Sequence, residues 1–112
     1  MDRPEFVIVF VTTSDVAEAN RISHALVEQR KAACVSIVPT VSSLYWWQGK
    51  MEKSMESLLI VKTLSRLLDE VIALVKGMHS YENPEVLALP VVGGSLEYLD
   101  WLDKETQTSP GA

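Results

Sequence analysis

Apolar residues fall along this chain in two rhythms, and the points where one gives way to the other outline a fold. Phe6-Val7-Ile8-Val9-Phe10-Val11 is an unbroken β-branched and aromatic run, the pattern of a strand covered on both faces. After a turn at Thr12 to Ser14 the spacing becomes helical. Val16, Ala19, Ile22, Ala25 and Leu26 recur at three and four residues, with Asp15 placed to cap three positions before Glu18. Glu18, Arg21, Glu28 and Arg30 are assigned to the wet side of this helix.

Cys34 to Thr63 then reads as one over-long hairpin, its arms turning at Gln48-Gly49-Lys50. Ordinary strands run about 5–6 residues, and arms of roughly fourteen would reach about 45 Å. Pro39 removes a ladder donor inside the first arm and predicts a bulge or an edge position there. Trp46 and Trp47 point to opposite faces, Met51 and Met55 share one face, and Glu52 and Glu56 share the other. A second helix capped by Ser65 carries Leu67, Leu68, Val71, Ile72, Leu74, Val75 and Met78. Glu85 to Val91 forms a fourth strand, and Ser95 caps a short last helix.

The order β-α-β-β-α-β with an appended helix predicts an α+β, ferredoxin-like sandwich with a long protruding hairpin. A single domain over 1–105 and a fraying polar tail over 106–112 are expected. Two helices cover only one face of such a sheet, yet the first, third and fourth strands are apolar on both. The bare face and the protruding hairpin, with Leu44, Tyr45, Trp46, Trp47, Met51 and Met55 along it, both predict a symmetric oligomer.

Net charge is −5 and the lysines and arginines are not clustered, which disfavours a nucleic-acid partner. No stretch approaches the apolar length of a membrane helix. Cys34 is the one cysteine, and no secretory pattern opens the chain, so a cytoplasmic setting is expected. No G-x-S-x-G, H-E-x-x-H, C-x-x-C, Walker A or G-x-G-x-x-G pattern is present. His79 with Glu82 and Glu85 could perform acid-base chemistry in a subunit cleft, or simply brace a loop. A non-catalytic protein is the expectation.

Ala32-Ala33-Cys34, Pro39, Leu44-Tyr45 with Trp47, Gly49-Lys50, Leu59 to Thr63, His79-Ser80-Tyr81, Pro84-Glu85, Leu89-Pro90 and Tyr98-Leu99-Asp100-Trp101-Leu102 occur in that order. In this the chain resembles the CutA family of divalent-cation tolerance proteins. The resemblance implies a homotrimer of ferredoxin-like subunits, similar in shape to PII signalling proteins, with a cytoplasmic role in tolerance of copper and other divalent metals. Some bacterial members have a His-His-Pro-Tyr segment and a cysteine ending the first strand. Met78-His79-Ser80-Tyr81 and Val11 match those positions here, so His79 is kept and the strand-one thiol is absent.

Cys34, Met78 and His79 are therefore the candidate metal ligands, for copper or another divalent ion. Thiolate and thioether donors suit Cu(I), whereas imidazole and carboxylate suit Cu(II) and Zn(II). Each has an ordinary alternative: Cys34 as a small buried hydrophobe, Met78 as part of the helical stripe, and His79, in an exposed-looking loop, as a helix-end cation. The expected function is a homotrimeric metal-binding tolerance protein. The alternative is a PII-like signalling protein holding a small metabolite in inter-subunit clefts.

Overall fold

The computed structural model describes residues 5–107. The elements are β1 (Phe6–Thr13), α1 (Val16–Glu28), β2 (Cys34–Trp47), β3 (Lys50–Leu64), α2 (Leu68–Met78), β4 (Val86–Pro90) and α3 (Leu96–Glu105). Their strands form one antiparallel sheet in the order β2-β3-β1-β4, the ferredoxin-like topology.

Alternation along the strands divides the sheet into two unlike faces. Val7, Val9 and Val11 of β1 and Leu59 and Val61 of β3 point into a core with Ala19, Ile22 and Leu26 of α1 and Val71 and Val75 of α2. The neighbouring strand positions point the other way. There, α3 covers only one end, where Leu102 joins Leu64 and Leu67 with Phe6 packed against them. Leu87 and Leu89 on the remainder of this face are 61% and 47% exposed.

The hairpin outruns its sheet. β1 ends its pairing with β3 at Thr13 and Ser57, so β3 from Lys50 to Glu56 pairs with β2 alone. The molecule consequently measures 49 × 29 × 22 Å. A register shift between Val38 and Val41 confirms the irregularity expected at Pro39, whose carbonyl accepts a 2.6 Å hydrogen bond from Ser57 Oγ. Gln48 and Gly49 make the two-residue turn with φ of 49° and 79°, the left-handed pair that suits the twist of a hairpin. Gly49→Ala is expected to cost about 1 kcal/mol, because a Cβ is disfavoured in that conformation. A thermal melt at fixed protein concentration would show it.

The helix ends agree in part with the sequence pattern. Asp15 and Ser95 cap α1 and α3 as expected, accepting from the N–H groups of Glu18 and Tyr98. Ser65 does not cap α2. It opens a single 3-10 turn directly off β3, its N–H donating to the carbonyl of Glu5, and α2 starts after Leu67 without a side-chain cap. Thr106 is not frayed: it is 2% exposed and its hydroxyl bonds the carbonyls of Leu102 and Asp103. The rest of the expected tail from 108 onward lies outside the described residues.

Candidate functional site at the root of the hairpin

Where β1 ends and the hairpin projects beyond it, the loop joining α2 to β4 closes over the sheet edge. Glu18 anchors this loop. Although assigned to the wet side from the helical pattern, Glu18 is 2% exposed. Its Oε1 accepts from Ser14 N–H at 3.0 Å and Ser14 Oγ at 3.2 Å, and its Oε2 accepts from Ser80 N–H at 2.7 Å. Burial alone would raise this carboxyl's pKa, but the hydrogen bonds from Ser14 and Ser80 outweigh it and hold the group below its ordinary value. One carboxylate thus ties the start of α1 to the loop after α2.

His79 locks the same loop from within. Its side chain is 0% exposed, which corrects the expectation of an exposed loop histidine. Nε2 lies 2.6 Å from the Thr12 carbonyl, and Nδ1 accepts the Tyr81 N–H at 3.0 Å. A carbonyl can only accept and an amide N–H can only donate, so the ring is the neutral Nε2–H tautomer. Glu18 Oε1 stands 3.7 Å from Nδ1, but this is not an ion pair while the Nδ1 lone pair holds Tyr81. His79 follows α2 directly, its N–H still bonded to the Val75 carbonyl, so the loop is held to the helix end.

Tyr81 is what this bracing positions. Its ring packs 4.7 Å from the His79 ring, and its hydroxyl donates to Glu56 Oε2 at 2.8 Å. Burial, the hydrogen bond to Glu56 and the Glu56 charge all push the Tyr81 phenol up, so it stays protonated as a donor. Glu56 is 7% exposed, although it lies in the part of β3 that pairs with β2 alone. Beside it, partial burial and the Glu56 charge raise the Glu85 carboxyl. Tyr81, Glu56 and Glu85, with Tyr45, Trp46 and Trp47 of the hairpin, line a cleft of about 580 Å³.

The candidate metal ligands are not gathered into this cleft. Cys34 pairs with Lys62, which pairs with Ile8, whereas His79 meets the backbone at Thr12. Four residues along the strands and two strands across separate those points, about 13 Å and about 10 Å respectively. Cys34 Sγ instead lies 3.7 Å from Lys62 Nζ, which also donates to Ser36 Oγ at 3.0 Å. Met78 ends α2 and is 40% exposed. Among the described residues, no three His, Cys, Asp or Glu side chains converge closely enough within one chain to hold an ion.

Glu18 and Glu56 were missed as site residues because helical and strand periodicity describes an element alone. Tertiary contacts from Ser80 and Tyr81 bury both. A capping-box spacing from Asp15 to Glu18 was the one available signal that Glu18 turns back toward backbone.

A ferredoxin-like sandwich with an over-long hairpin and a braced cleft at its root defines a structural class, and comparison with known proteins places the chain within it. The family model for the CutA1 divalent ion tolerance protein matches residues 7–105. The chain belongs to that family. It is 45% identical to the divalent-cation tolerance protein CutA of Thermus thermophilus, over 88% of this chain and 96% of that one. It is 44% identical to chloroplastic CutA 1 of Oryza sativa over 92% of this chain, but spans only 58% of that relative. The solved rice CutA1 structure superposes with a TM-score of 0.91 at 42% identity, covering 95% of this chain and 97% of that chain. A structure described as periplasmic CutA from Archaeoglobus fulgidus gives 0.89 at 40% identity, covering 91% and 99%.

These relatives overturn the cytoplasmic expectation, since one is described as periplasmic and the rice relative as chloroplastic. A single free cysteine and an unremarkable opening of the chain do not encode the compartment of a domain that occurs in several. No described helix is long and apolar enough to cross a membrane. The family is named for a tolerance function rather than for a reaction.

Proposed function

We propose that the chain acts as a homotrimer that takes up copper or another divalent metal ion and contributes to metal tolerance without turnover. The observation that carries the assembly is the uncovered sheet face. Leu87 and Leu89 are exposed there, and Trp46 on the hairpin is 74% exposed, a pattern that a second copy would relieve. Family membership supports the metal role, because relatives carry the name divalent-cation tolerance protein.

Since one chain does not gather Cys34, Met78 and His79, an ion held by any of them needs donors from a neighbouring copy or from solvent. His79 could ligate only by surrendering Thr12 or Tyr81, which leaves Cys34 and Met78 as the first residues to test for Cu(I). Anaerobic titration of the assembly should give saturable Cu(I) uptake, weakened about tenfold or more by Cys34→Ser. Metal content that is negligible in wild type, or unchanged in both Cys34→Ser and Met78→Leu, would refute this ligand set. Native mass measurement at micromolar concentration tests the trimer on the same sample.

The cleft favours a second reading, a PII-like role in which a small metabolite binds at the hairpin root. Its volume of about 580 Å³ falls within the usual range of small-molecule sites, about 300–1,000 Å³. A metabolite that raises the melting temperature without displacing bound metal would support it.

A further inference from the structure

The walls of the cleft carry one sign of charge. Glu56, Glu82 and Glu85 contribute carboxyl groups, and among the described lining residues there is no lysine, arginine or histidine. Glu56 is almost wholly buried, and its nearest satisfaction is the neutral phenol of Tyr81. The Glu85 carboxyl beside it is raised, first by partial burial and then by the Glu56 charge.

The second property of the cleft is aromatic. Tyr45 and Trp47 are 41% and 47% exposed, and Trp46 more so. Among the described residues of one chain none of the three has a ring partner, the close aromatic pairs being His79 with Tyr81 and Tyr98 with Trp101. Unpaired π faces beside carboxylates form the surroundings that attract a diffuse, weakly hydrated positive charge.

We propose that this cleft binds a small organic cation, an alkylammonium group seated against the hairpin aromatics and facing Glu56 and Glu85. The inference rests on the second reading, that the cleft is a ligand site, and adds the chemistry of its ligand. A compact metal ion demands several oxygen or sulfur donors at about 2.0–2.6 Å, and the carboxyl groups here do not converge to that degree. An alkylammonium is satisfied over a wider span, its charge within about 6 Å of a ring centroid and its alkyl part against carbon. The cleft is also far larger than a single metal ion requires. Ser43, Thr12 and Asn83 of its lining add neutral hydrogen-bonding groups without adding positive charge.

Isothermal titration of the native assembly in EDTA, at constant ionic strength, tests this with butylammonium and tetraethylammonium chloride. 1-Butanol and sodium butyrate are the neutral and anionic counterparts. Saturable binding of an ammonium probe is expected, with no saturation by butanol or butyrate. Glu85→Gln should weaken binding about tenfold and Trp47→Leu about fivefold, the latter being the loss of one cation–π wall. Glu85 is exposed in the loop after α2, so circular dichroism and mass of Glu85→Gln should match wild type. Its loss of binding carries the test alone if Trp47→Leu, on the hairpin expected to meet a neighbouring copy, alters the assembly. Binding of butyrate or butanol in place of the ammoniums would overturn the inference while keeping the cleft as a ligand site. Saturation by no probe, or ammonium binding indifferent to both substitutions, would overturn it as well. A metabolite screen that also found no ligand would then remove the second reading.

Discussion

Ile60→Asp is expected to leave the subunit folded and to abolish its self-association. Ile60 lies opposite Phe10 on the sheet face that the helices leave bare, and Leu87 flanks Phe10 on the far side. Ile8, Phe10, Leu58 and Ile60 are only half-buried within the chain, while Leu87 and Leu89 are exposed. Covering six such side chains contributes on the order of 5–10 kcal/mol per subunit at about 25 cal/mol per Å², comparable with the whole stability of a domain. A carboxylate in the middle of that patch is solvated in the separated subunit but desolvated in the assembly, so the penalty falls on association. Light scattering should show the mass fall to that of one chain, with the far-UV spectrum retained. Should Ile60→Asp fail to fold, Leu87→Asp on the exposed edge strand gives the same test. An unchanged mass in a folded variant would mean that this face is not the interface.

The second large effect is expected at Glu18. Replacement by alanine removes the acceptor for Ser14 N–H and Ser80 N–H, leaving donors under a closed loop. Each buried donor left unmade costs about 1–3 kcal/mol, so Glu18→Ala should destabilise by about 3 kcal/mol. The loop holding Tyr81 should loosen first, because Ser80 is its tether. Glu18→Gln keeps one oxygen and should lose less. The pH dependence follows from the lowered carboxyl of Glu18, set against a reference of 4.5. Its contribution is fully present above that reference and is lost as pH falls through the depressed folded value. The stability gap between wild type and Glu18→Gln should therefore be widest near neutral pH and close in acid. Urea denaturation at fixed protein concentration would reveal this, and a gap independent of pH would show that the carboxylate charge contributes nothing. Glu85 acts in the opposite direction, since a raised carboxyl favours the folded state as pH falls through its folded value.

Much of the fold was legible before any coordinates were considered. The continuous apolar run of β1 needed both faces covered, and in the structure α1 and α2 cover one of them. Asp15 and Ser95 announced helix starts through side-chain chemistry local to a few residues. Gln48-Gly49 marked the hairpin turn for the same reason, because a left-handed pair of residues is demanded by the strand twist itself. Even the disturbance at Pro39 followed from one missing N–H.

The site was less legible. His79 was singled out as an exposed ligand, yet it is buried with both ring nitrogens engaged by Thr12 and Tyr81. Cys34, Met78 and His79 were grouped by their chemistry, but strand register carries Cys34 to the opposite end of the sheet from the His79 loop. Glu18 was read as solvated and Glu56 was given no site role, yet they are the most deeply placed carboxylates near the cleft. None of these errors concerns local conformation.

By itself the sequence determined the order of elements, the length of the hairpin and the existence of an apolar surface too large for one chain to cover. These properties depend on residues within a few positions of one another, where hydrogen-bonding capacity and side-chain periodicity act directly. Only the tertiary structure decided which carboxylates are buried, which nitrogen of His79 carries its proton and which side chains share a cleft. Those outcomes depend on contacts such as Ser80 to Glu18 and Tyr81 to Glu56, made between segments whose meeting is set by the packing of the whole sheet against its helices.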